Sequence, residues 1–164
     1  MRAPLPPSTP WNRRTTVNIP AKGIIVTGVI GEDVHVTGVR ILEHALRSNG
    51  FEVHSLGIHN SQEDFVAKAK ETKADVILIS SLAGHAAMLV EGLREKCVAA
   101  GMGNIFLTIG GQLVIHAEAW EETEKTFLDM GFDDVAPPFQ LPDAVIAKLE
   151  KALGLRPSEA KAAG

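Results

Sequence analysis

Tyrosine is absent from the 164-residue chain, and phenylalanine and tryptophan bring the aromatic share to only 5%. Platforms for stacking nucleic-acid bases or sugar rings therefore have little to build with. A single cysteine, Cys97, excludes an internal disulfide and fits a reducing, cytoplasmic compartment. Net charge is small as well: 16 basic against 20 acidic residues leave −4. A general nucleic-acid binder is normally basic, so that class of partner is disfavoured. No apolar run reaches the ~18 residues a membrane span needs, so no membrane partner is expected. What is present is the material of a packed globule: 45% hydrophobic and 22% charged residues. The length suits one domain with short extensions.

Acidic residues are missing altogether from the first 22 positions, which hold five of the nine prolines; the first acid is Glu32. Pro4, Pro6, Pro7 and Pro10 forbid the amphipathic helix of a transit peptide. Arg13-Arg14 is not followed by the apolar stretch of a twin-arginine signal. Residues 1–22 read as a disordered leader, 23–153 as the folded domain, and 154–164 as a small, polar tail.

From Gly23 the pattern is regular. Gly23 to Ile30 is a near-continuous β-branched run, as in a strand buried on both faces. Ile41, Leu42, Ala45 and Leu46 lie at helical spacing before Asn49-Gly50, a C-terminal signal. Phe51 to Gly57 reads as a second strand. Ser61 with Asp64 opens a second helix, with Phe65, Ala69 and Thr72 on one face. Ala74 to Leu82 is the third strand. One helix from about His85 follows, striped by Ala86, Leu89, Val90, Leu93, Cys97 and Ala100. Asn104 to Gly111 is a fourth strand, Ala117 to Met130 a fourth helix, and Phe132 to Pro138 a fifth strand. Pro142 starts a last helix running to about Leu153.

Five strand–helix pairs in strict alternation predict an α/β fold with a five-stranded parallel sheet, helices on both faces, in the flavodoxin-like order 2-1-3-4-5. Ligands of such sheets sit outside the carboxyl ends of the strands. After the first strand comes Gly31-Glu32-Asp33-Val34-His35-Val36-Thr37-Gly38, after the third Ser80-Ser81-Leu82, and after the fourth Gly110-Gly111-Gln112. Singly, each has an ordinary reading: a surface imidazole, a turn acid, a helix cap, a tight turn. Jointly they suggest more. A short acid two residues before a histidine can accept one ring N–H, fix the tautomer and leave the other nitrogen free for a metal. Gly38 lets the backbone pass close to something bulky, and Gly110-Gly111 removes side chains where a planar ligand could lie.

Asp33-x-His35-x-x-Gly38, Ser80-x-Leu82 and Gly110-Gly111 together resemble the three-part motif of cobalamin-binding domains. The resemblance implies that His35 replaces the cofactor's own lower base on cobalt, that Asp33 holds His35, and that the serine and glycine segments line a slot for the displaced nucleotide tail. The stretches GVIGEDVHVTGVRILEHAL, ETKADVILISSLAGH, GLREKCVAAG and EKTFLDMGFD narrow it to the sigma subunits of glutamate (methylaspartate) mutase. In that family the residues touching the cofactor correspond to Glu32, Asp33, Val34, His35 and Val36, to Ser80, Ser81 and Leu82, and to Gln112, Leu113, Val114, Ile115 and His116.

The implied function is to present adenosylcobalamin to a TIM-barrel large (epsilon) subunit, in a heterotetramer that interconverts L-glutamate and threo-3-methylaspartate through radicals. No catalytic residue is expected in this chain alone. A corrinoid carrier or the small subunit of another mutase are the alternatives. A receiver domain would need an aspartate where the third strand ends in Ile79-Ser80-Ser81, and a flavin site would not place Glu32-Asp33 against a phosphate. His44, His54 and His59 follow no metal-ligand spacing. His85 is a candidate to face the cofactor or the partner, whereas Cys97, Trp120 and Phe127 fit core positions.

Overall fold

The structure, a computed structural model, describes residues 20–113 and 120–155. The expected leader lies largely, and the tail mostly, outside the described residues, as do Val114, Ile115 and His116. Strands β1 (Ile24–Val29), β2 (Glu52–Ser55), β3 (Val76–Ser81), β4 (Phe106–Gly111) and β5 (Asp134–Val135) form one parallel sheet in the order β2-β1-β3-β4-β5. This is the order expected from the alternation of elements.

Two apolar layers enclose the sheet because alternate residues of each strand point to opposite faces. Val26, Ile77, Ile79, Leu107 and Ile109 face one layer, with Phe65, Leu93, Cys97 and Phe127. Ile25, Val29, Val76 and Leu78 face the other, with Val39, Leu46, Val145, Ile146 and Leu149. The first layer carries helices α2 (Gln62–Thr72), α3 (Ala86–Val90), α4 (Leu93–Ala99) and α5 (Trp120–Asp129). The second carries α1 (Thr37–Ser48) and α6 (Pro142–Ala152). Among the described residues no helix is long and apolar enough to cross a membrane.

Local signals explain most boundaries. Ser61 and Asp64 make the reciprocal cap of α2: the Asp64 N–H donates to Ser61 Oγ (3.2 Å) and the Ser61 N–H to Asp64 Oδ2 (2.7 Å). Pro142 occupies the first turn of α6. The expected single third helix is instead two, α3 and α4, separated at Glu91-Gly92 with Gly92 at φ 82. Gln62 of α2 compensates the break by donating through Nε2 to the carbonyls of Leu89 (2.8 Å) and Glu91 (2.9 Å). The apolar stripe survives the break, with Ala86, Val90, Leu93 and Cys97 all buried.

Helix α1 is the other departure. Its buried positions are Val39, Glu43 and Leu46, while Ile41 is 57% exposed and faces away from the sheet. The inner face is thus one-third carboxylate. Glu43 Oε1 accepts a hydrogen bond from Thr27 Oγ1 at 2.6 Å, and this buried contact ties α1 to β1.

Candidate cofactor site

The loop between β1 and α1 is held by one carboxylate. Asp33 is buried, with 1% of its side chain exposed. Its Oδ1 accepts from the His35 backbone N–H (2.9 Å) and from His35 Nδ1 (2.7 Å). Its Oδ2 accepts from the Leu82 N–H at 2.5 Å, across to the loop after β3. Burial raises the Asp33 pKa, but the His35 and Leu82 amides and the His35 ring outweigh it and hold the carboxyl below its ordinary 3.8. Asp33 is therefore ionised at neutral pH and can only accept hydrogen bonds.

That settles the imidazole. Nδ1 must carry the proton it shares with Asp33, so in the neutral ring Nε2 keeps its lone pair. The side chain is 66% exposed, and Nε2 has no hydrogen-bond partner among the described residues. The arrangement is a fixed, single-nitrogen donor at the carboxyl edge of the sheet, with an anion behind it to make it a stronger ligand. Nearby Gly38 sits in the first turn of α1, and a Cβ there would meet nothing within 4 Å.

Residues 23–138 match the model of the B12 binding domain family. The chain is 47% identical over 131 residues to the glutamate mutase sigma subunit of Carboxydothermus hydrogenoformans, covering 80% of this chain and 96% of that one. It is 46% identical over 134 residues to the glutamate mutase sigma subunit of Clostridium tetanomorphum, covering 82% and 98%. The chain belongs to the B12-binding domain family, among the glutamate mutase sigma subunits. In shape it is similar to the crystal structure of a cobalamin-binding protein from Desulfitobacterium hafniense DCB-2, with a TM-score of 0.64 at 24% identity over 80% of this chain. It spans 58% of that protein, and the likeness is one of fold.

The remaining motif residues divide between the two faces of the sheet. Ser80 pairs with Val29 on one side and Gly110 on the other. By strand alternation this rung faces α1 and α6. Ala136 approaches this rung closely: its Cβ would lie 3.0 Å from a Cβ on Gly110. Ser81 pairs with Gly111 and faces the opposite layer. Here the glycine has a backbone reason: at φ 108, a Cβ would fall 2.2 Å from the Ser81 carbonyl oxygen. Ser81 is fully buried and its Oγ has no hydrogen-bond partner among the described residues.

Glu32, Val34 and Gln112 are exposed, Val36 packs on the α1–α6 layer, and Leu82 is 41% exposed. Leu113 is buried in the opposite layer, in the core. His85 stands at the N-cap position of α3 without a side-chain cap, and its Nδ1 lies 2.8 Å from the Ala83 carbonyl. His44 and His59 are exposed, and His54 bonds Glu52. Sequence reasoning missed the Leu82 amide as the second anchor of Asp33; a backbone donor leaves no signature in side-chain identity.

Proposed function

We propose that this chain is the cobalamin-binding small subunit of an adenosylcobalamin-dependent mutase, working with a TIM-barrel large subunit to interconvert L-glutamate and threo-3-methylaspartate. Its close similarity to glutamate mutase sigma subunits over nearly the whole folded part supports the assignment. The observation that carries it is the Asp33–His35 pair: a buried, ionised acid that fixes the ring with Nε2 free at the sheet's edge.

The residues fit the cofactor. His35 Nε2 would hold the cobalt, with Asp33 holding its tautomer and the Leu82 amide holding Asp33. Ser80 and Gly110 would flank the nucleotide tail on the α1–α6 face, and Gly38, where a Cβ would meet nothing within 4 Å, would offer the corrin no obstruction. The bound cofactor supplies the radical through homolysis of its cobalt–carbon bond. This chain positions, orients and tunes; the large subunit binds the amino acid, with the corrin between the two in a heterotetramer. The test is to load the chain with cobalamin and read the absorption spectrum and the Co(II) paramagnetic resonance. Superhyperfine splitting from an imidazole nitrogen, lost in His35→Gly, is the expected result. Retention of the cofactor's own benzimidazole on cobalt would refute the assignment.

A further inference from the structure

The turn that leads from β2 into α2 is closed by a side chain that the site above does not use. Asn60 is buried, and its Nδ2 donates to the carbonyls of Gly57 (2.9 Å) and Val29 (3.0 Å). Neither carbonyl depends on that bond. Gly57 O also accepts from the Val29 N–H (2.8 Å), and Val29 O from the Asn60 N–H (3.3 Å). The carboxamide therefore adds restraint rather than satisfying an orphaned acceptor. Inside the turn it closes, His59 stands exposed at φ 60, in the left-handed region. Such backbone persists where the surroundings over-determine it, and the bond from Asn60 to Gly57 brackets it. Strand β1 makes room for the group, since a Cβ on Gly28 would lie 3.1 Å from Asn60 Nδ2.

What the turn holds lies beyond it. The Asn60 carbonyl accepts the Gly31 N–H at 2.8 Å, and Ile30 and Asn60 form a bridge past the end of the β1–β2 ladder. Gly31, at φ 73, is where the chain leaves β1 for Asp33 and His35. Two residues on, Asp33 is tied to the Leu82 amide. The loop is thus pinned from both neighbours of β1: Gly31 by the turn after β2, and Asp33 by the loop after β3. With Gly31 released, the loop would pivot on Ile30, which stays bonded to the Ser80 carbonyl (3.2 Å), and would carry the imidazole with it.

We infer that Asn60 is a positioning residue for His35: its carboxamide fixes the turn whose carbonyl holds Gly31, and so fixes the place at which Nε2 is offered to cobalt. The inference rests on the proposed function. It gives Asn60 no contact with the cofactor, and its whole effect passes through the histidine.

That route supplies the test, because an effect passed through His35 disappears when His35 is removed. Cobalamin binding is read by spectral titration of the full chain as wild type, Asn60→Ala, His35→Gly and the double variant. Asn60→Ala should bind cobalamin about tenfold more weakly, the lower end of the loss when an outer partner of a metal ligand is removed. In the His35→Gly background the same change should cost nothing. The Co(II) paramagnetic resonance of saturated Asn60→Ala should show a smaller fraction with imidazole-nitrogen splitting. Asn60→Ser keeps one shorter donor and should fall between wild type and Asn60→Ala in both readings; it carries the test if Asn60→Ala does not fold. Unchanged affinity and splitting would overturn the inference. So would an equal loss in both backgrounds, which would make Asn60 a support of the fold alone. Where His35→Gly binds too weakly to titrate, the splitting decides, and a full imidazole signal in Asn60→Ala overturns the inference. A His35→Gly chain that matched the wild type in affinity and spectrum would instead remove the proposed function, and this inference with it.

Discussion

Asp33→Asn is the most informative single change at the site, because three N–H donors converge on the two Asp33 oxygens. Asparagine offers one acceptor oxygen and one donor group. If that oxygen stays with His35, the new amide points at the Leu82 N–H, only 2.5 Å from the position it takes. Two donors then face each other in a buried site and one N–H is left without a partner. An orphaned buried donor costs about 1–3 kcal/mol, a shift on the order of 5 °C in midpoint for a chain of this size. The substitution also removes the anion behind the imidazole. A change of this kind costs ~10–100-fold in metal affinity or activity, about 1.4–2.7 kcal/mol at 1.36 per decade.

The two effects separate by assay. Urea unfolding without cofactor reads the first, and spectral titration with cobalamin reads the second. The acid limb adds a check of sign. Because the folded Asp33 pKa is depressed below 3.8, its stabilisation is complete above that value and is lost as pH falls through the folded pKa. Asp33→Asn should flatten that limb as pH falls below 3.8. Wild-type unfolding and wild-type cobalamin affinity in Asp33→Asn would refute both the clamp and the orienting role.

Gly111→Ala should abolish folding or cost several kcal/mol in urea unfolding, since its Cβ meets the Ser81 carbonyl at 2.2 Å. Gly38→Ala should do the reverse, stabilising α1 by about 0.5–1 kcal/mol while weakening cobalamin binding in titration. Cys97 is buried and its burial pushes the thiol pKa up, so it should resist alkylation in the native chain and react once unfolded, as mass spectrometry will show. The purified chain with adenosylcobalamin should not turn over glutamate until a large subunit is added; turnover by the single chain in a coupled assay would refute the division of labour.

The sheet order was legible because it depends on alternation alone. Five β-branched runs separated by amphipathic stretches leave few right-handed parallel arrangements. The Asp33–His35 pair was legible for a similar reason, since two residues of spacing on a strand-end loop place acid and ring within reach. The break at Gly92 was not, because it depends on Gln62, some thirty residues away, bonding the freed carbonyls. Ile41 misled because apolar type implied a buried face, whereas Glu43 took the inner position through its bond to Thr27.

The Ser-Ser and Gly-Gly pairs show where a sequence motif stops short of a site. Each reads as one unit, yet strand geometry sends neighbours to opposite faces. Ser80 and Gly110 share the rung under α1 and α6; Ser81 and Gly111 share the next, on the other layer. The first rung is the one assigned to the ligand in the proposed function, while the second is closed by the approach of Gly111 to the Ser81 backbone. The Ser81 hydroxyl is fully buried and unpartnered among the described residues, so Ser81→Ala removes a desolvated group with no bond to lose. Its stability should stay within about 1 kcal/mol of wild type, on the stabilising side, with cobalamin affinity unchanged. The half-buried Ser80 should behave oppositely: Ser80→Ala leaves folding intact and weakens cobalamin, but not cobinamide, several-fold. Equal behaviour of the two variants in titration would mean that the parity of the strand does not divide the motif, and that both serines serve one task.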